Sequence, residues 1–165
     1  MIYSLRIKLL SNFTVKKLKK VLNDFEKQAA FYSANNKLVS EANVGWHIIH
    51  SCLVITSVSK AIMNSDPALY KKKFSWKAFL VLLFNTFPRG KANAPSFTHP
   101  ADELSKEVIL QHIEQARKTA ELLLTTNKKK YFTHPIFGDL QIPLATRFLY
   151  VHSCHHEKII KEILQ

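Results

Sequence analysis

Apolar residues recur along much of this chain in steps of three and four, the spacing that places them on one side of an α-helix. The first such run predicts a helix over residues 14–32. There Val15, Leu18, Leu22, Phe25, Ala29 and Tyr32 form a seam, and Lys16, Lys17, Lys19 and Lys20 fall largely off it. Thr14 or Asn12 is placed to cap it. A second helix is predicted over 43–64, ending before Asp66-Pro67 because a residue preceding proline avoids the helical region. A shorter segment over 75–87 is apolar nearly all round its middle and stops at Pro88. A third long helix over 102–127 carries Ile109, Ile113, Ala116, Ala120 and Leu123 on one face, and the last fills 144–164. Two connections read as loop: 88–100, with three prolines and one glycine, and 128–143, with Thr133-His134-Pro135, Gly138 and Pro143.

Four long helices and one short one predict an all-α fold, a four-helix bundle with one short extra helix in the long connection, as a single domain over residues 1–165. The second and third long helices are joined by about 40 residues, so they need not be antiparallel neighbours.

Composition narrows the class. A hydrophobic content of 47% with 22% charged residues is that of a soluble globular protein large enough to bury a core without disulfides. Three glycines disfavour a turn-rich β fold, and neither a Walker A sequence nor GxGxxG is present. A formal charge of +12 invites nucleic acid or an acidic surface. The lysines are scattered, however, and no aromatic RNA-binding motif or recognition helix accompanies them, so nucleic acid is not the expected partner. The first ten residues are interrupted by Arg6 and Lys8 and lack a signal-peptide core. The most continuous apolar run, 78–84, is far short of the roughly 20 residues that span a bilayer. Cys52 and Cys154 read as reduced thiols. The expectation is a cytoplasmic protein without a membrane partner.

The histidines change the picture most. Five of the eight fall in two clusters, His47/His50 and His152/His155/His156, each inside a predicted helix. Stepping about 100° per residue along the last helix places Ala145, Phe148, Ile159 and Ile163 within about 40° of His152. His156 lies in the same apolar arc, and His155 sits at its edge. His152 and His156 thus form an i,i+4 pair directed at the core, able to converge on one ion. On the second helix His47 and His50 both fall in the apolar arc beside Trp46 and Val54, and periodicity does not choose between them. A neutral buried imidazole is a common transition-metal ligand, and one shared ion would satisfy several buried rings at once. His112 lies on the apolar side of the third long helix, where it could supply a fourth ligand, although a structural or pocket role is the expected one. Arg89 and His134, in the two loops, are candidates for the mouth of the site. An HExxH motif is ruled out because Ile159 and Ile160 stand where its second histidine would be, and no GxSxG elbow occurs.

Several segments also resemble a known family. Gly45-Trp46-His47-Ile48-Ile49-His50-Ser51 is similar to the GWHxxHS segment of the DUF1569 family, within the DinB/YfiT-like superfamily. Pro88-Arg89-Gly90-Lys91-Ala92-Asn93-Ala94-Pro95, His134-Pro135-Ile136-Phe137-Gly138-Asp139-Leu140 and His152-Ser153-Cys154-His155-His156 fit in the same order. The resemblance implies an up-down-down-up four-helix bundle, often dimeric. It also implies a divalent metal held by one histidine of the second helix and an HxxxH pair of the last, which here match His50, His152 and His156. Some members of the superfamily carry out thiol-dependent transfer with low-molecular-weight thiols, and others are described as hydrolases. The expected function is therefore a metal-dependent protein, with zinc or nickel foremost, acting on a small molecule as a hydrolase or thiol transferase. The alternative is a non-enzymatic stress-associated or acidic-partner-binding protein whose histidines are structural.

Overall fold

The structure, a computed structural model, describes residues 2–73, 75–86, 100 and 104–165, with side chains from residue 12 onward. Among the described residues there are five α-helices and one two-stranded sheet. Helix α1 spans Ile2–Gln28 and tightens into a 3-10 turn at Ala29–Phe31; α2 spans Val44–Asn64 and α3 Trp76–Phe84. Helix α4 spans Lys106–Thr125, strands β1 and β2 are Tyr131–His134 and Gly138–Gln141, and α5 spans Ile142–Ile163.

Local chemistry explains most boundaries. Asn43 Oδ1 accepts the Trp46 N–H at 2.8 Å and opens α2. Ser75 and Ser105 do the same for α3 and α4 through the N–H groups of Ala78 and Val108. Asn85, left-handed at φ 51°, ends α3 ahead of the predicted limit. Pro143 sits in the first turn of α5, where its missing N–H costs nothing, so that helix begins earlier than expected. Helix α1 also starts far upstream of the predicted cap at Asn12 or Thr14, because nothing between Ile2 and Thr14 breaks a helix.

One expectation is corrected outright. The described residues are mostly helical, as expected, but the connection at 128–143 is not irregular: Tyr131–His134 pairs antiparallel with Gly138–Gln141, His134 opposite Gly138. Aromatic and β-branched residues favour the first strand, and Gly138 at φ +75° closes a three-residue loop that few side chains would tolerate. Asp139 fastens the hairpin, accepting from Thr133 Oγ1 at 2.7 Å and from the Lys71 N–H at 2.8 Å. The Tyr131 N–H donates to Ser65 Oγ, and the Lys130 ammonium reaches the Met63 carbonyl, so the hairpin docks at the C-terminal end of α2.

The four long helices pack in the cyclic order α1–α5–α2–α4. Lys19 pairs with Glu121, and Arg117 with Glu26, so α1 and α4 run antiparallel. Lys17 approaches the Tyr150 ring while Asp24 lies near Lys161, so α1 and α5 run parallel. His47 meets His156 and His50 meets His152, so α2 and α5 run antiparallel. Leu18, Leu22, Phe25, Ile48, Ile55, Ile109, Ile113 and Leu149 fill the space between them, all essentially solvent-free. Helix α2 is long and apolar enough to cross a membrane by length and composition, but most of it is buried among the other helices.

Candidate metal centre

The antiparallel contact of α2 with α5 brings the two histidine clusters together. His50, His152 and His156 each offer a ring nitrogen, and these atoms all lie within 4.8 Å of one another. A tetrahedral zinc ion with bonds of about 2.0–2.1 Å spaces its ligand nitrogens roughly 3.4 Å apart. Small side-chain rotations would therefore let all three rings reach one ion. His152 and His156 sit one turn apart on α5 with ring centroids at 4.7 Å, and His50 faces them from α2 at 5.2 and 4.8 Å. His50 and His156 are buried, whereas His152 keeps a partly exposed edge.

The donor set fits a divalent cation. Burial pushes the protonation of His152 and His156 well below the usual imidazole range. The neighbouring rings push the same way: His50, His155 and His134 for His152, and His152, His50, His47 and His155 for His156. Neutral imidazoles are the form that offers a lone pair to a metal.

The rings around this group have definite places. Trp46 lies almost parallel to His50, with centroids 4.8 Å apart and planes 11° from parallel. His47, left open as a ligand by periodicity, is outside the three-histidine group. Its Nδ1 is 3.0 Å from Nδ1 of His156, and its Nε2 is 3.0 Å from Ser40 Oγ. His155 stands edge-on to His156 at 5.2 Å. His112, on α4, is half-buried and stands apart from the group, its protonation lowered by burial. Arg89 lies outside the described residues.

The hairpin supplies the outer wall. His134 Nδ1 accepts the N–H groups of Ile136 and Phe137 at 3.0 and 3.2 Å, so this nitrogen carries no proton and Nε2 is the N–H. The same ring stacks on Phe137 at 4.2 Å and stands edge-on to Phe148 at 5.0 Å. Phe148 in turn lies 5.8 Å from His152, one turn earlier on α5. Burial lowers His134 to a pKa of about 4, so its ring is a neutral hydrogen-bond donor at neutral pH.

Two of these residues had no role in the sequence reading. Phe137 lies inside a quoted segment, but no periodicity gives a loop residue a partner. Ser40 precedes His47 by seven residues in a predicted connection, and only the folded turn brings it back to that ring. Cys52 is fully buried and Cys154 half-buried, both free, and burial pushes both thiols up.

No protein-family model matches the chain, and no similar curated protein or solved structure was found.

Proposed function

We propose that this is a metal-dependent protein of DinB-like type, holding a divalent transition ion through His50, His152 and His156 and acting on a small molecule. The observation that carries the proposal is the convergence of three imidazoles from two helices to within 4.8 Å, with His152 and His156 in surroundings that disfavour their cationic form. The helix directions and the cyclic packing order support an up-down-down-up four-helix bundle, with the hairpin as an insertion before the last helix. The GWHxxHS-like segment supports the DUF1569 likeness.

A divalent ion such as zinc or nickel held by His50, His152 and His156 would supply Lewis acidity, the chemistry that favours deprotonation of water or a low-molecular-weight thiol near neutral pH. The chain's own residues do the rest. Trp46 holds the plane of His50. Phe148 packs beside His152, and Phe137 stands edge-on to Phe148, an apolar flank for that ligand. His134 presents a fixed Nε2–H donor on the same wall, suited to an oxygen of a bound substrate. Hydrolysis and thiol transfer both fit this arrangement, in a cytoplasmic protein that can pair with a second copy.

The test is a calorimetric zinc titration of tag-free, chelator-stripped protein. One equivalent should bind, and His152→Ala should abolish the heat while the helical circular dichroism persists. A wild-type protein that takes up no zinc, nickel or cobalt would overturn the proposal.

A further inference from the structure

The contact between His47 and His156 carries more than packing. Two ring nitrogens 3.0 Å apart in a buried place form a hydrogen bond only if one carries a proton and the other a lone pair. The distance alone does not say which. Resting on the metal reading above, the chemistry of His156 decides it. With Nδ1 engaged by His47, the nitrogen left to His156 for an ion is Nε2. A neutral imidazole that gives its Nε2 lone pair to a cation has its proton on Nδ1. That Nδ1–H then donates to Nδ1 of His47, which is left with its own proton on Nε2. The Nε2–H of His47 in turn donates to Ser40 Oγ, 3.0 Å away.

We propose that His47 and Ser40 form an outer relay that fixes the tautomer and orientation of His156, making His47 a positioning residue for the metal site and not a fourth ligand. The relay is anchored at its far end. Ser40 is held in a tight turn, its N–H donating to the Asn36 carbonyl at 2.9 Å and its Oγ accepting the Ala42 N–H at 3.2 Å. A hydroxyl already fixed by a backbone donor is a firm acceptor for the His47 N–H. His47 is only 3% exposed, so water cannot replace either partner cheaply. A ligating imidazole commonly donates its second N–H to a carboxylate or carbonyl, which raises its basicity and fixes its ring. Here a second imidazole, itself fixed by a serine, fills that position. The arrangement adds no negative charge, so the ion would keep its full positive charge.

The relay makes predictions that simple packing does not. In zinc-loaded, 15N-labelled protein, long-range proton–nitrogen correlation spectra should show His156 protonated on Nδ1 and His47 protonated on Nε2. His47→Leu should weaken zinc binding by about 10–100-fold. His47→Asn sets an amide oxygen near the position of Nδ1, and should restore affinity to within a few-fold of wild type. Ser40→Ala should fall between the two. A His47 ring protonated on Nδ1, or a His47→Leu protein that binds zinc as tightly as wild type, would overturn the relay and leave the three-histidine site standing. A wild-type protein that binds no metal would overturn both. If His47→Leu does not fold, the tautomer spectrum of the wild type decides the matter alone.

Discussion

The indole of Trp46 lies flat against the imidazole of His50, centroids 4.8 Å apart and planes 11° from parallel. The two residues are one helical turn apart on α2, so the stack is built by the i,i+4 geometry of the helix itself. An aromatic pair of this kind is worth about 0.5–1.5 kcal/mol beyond the area it buries. Trp46→Leu should therefore weaken zinc binding roughly 2–10-fold, by leaving His50 free to turn. The stack also gives a direct readout. The other tryptophan, Trp76, is exposed on α3, so a Trp76→Phe protein reports on Trp46 alone. Its emission should change on adding zinc and saturate at one equivalent. Unchanged emission while calorimetry registers binding would remove His50 from the site.

Gly45 sits where the start of α2 passes close to Tyr32, just after α1, and to Ile109 of α4. A Cβ there would stand 3.1 Å from the Tyr32 carbonyl oxygen and 3.2 Å from Ile109 Cδ1. That carbonyl cannot retreat freely, because it accepts the Gly45 N–H at 2.8 Å. In an open helix Gly→Ala would gain about 1 kcal/mol in helix propensity. Overpacking costs typically 1–3 kcal/mol, so the net effect of Gly45→Ala should be a loss. A lowered urea midpoint with unchanged slope checks this. A raised midpoint would mean that the Tyr32 carbonyl and Ile109 yield to the added methyl group.

Acid should destabilise the metal-free protein in a defined window. His134 titrates near 6.5 when unfolded and about 4 in the fold, because burial disfavours its charged form. Between those values the unfolded chain binds more protons, so stability falls as pH drops from about 6.5 to 4 and is unaffected by this group at higher pH. His152 and His156 act in the same direction. His134→Asn separates the contributions. An asparagine oxygen can accept the Ile136 and Phe137 N–H groups much as Nδ1 does, but it does not titrate. The variant should keep its stability at neutral pH and lose part of the acid dependence, as read from urea midpoints at pH 7, 5.5 and 4.5. Identical pH dependence in both proteins would show that His134 is solvated.

How much was legible in the sequence follows from what kind of information each feature needs. The helix 43–64 was readable because Asn43 and the Asp66-Pro67 stop are local chemistry, and the structure keeps both ends within a residue. The direction of His152 and His156 was readable because a single helix wheel fixes it. The hairpin was lost because Pro135 and Gly138 read as breakers, although they lie in and just after a three-residue loop between two strands. The choice between His47 and His50 was beyond periodicity, since both face inward. It depends on where α5 sits, which groups His50 with His152 and His156 and leaves His47 between His156 and Ser40. Ser40 itself carries no signal, because its role exists only once residues 33–43 have turned back on the start of α2.

The most direct test of the account is zinc K-edge absorption on tag-free, zinc-loaded protein. Three imidazole nitrogens at about 2.0 Å, with the multiple scattering of three rings and one further light atom, are the predicted result. A sulfur scatterer near 2.3 Å, or a shell holding fewer than three imidazoles, would contradict it.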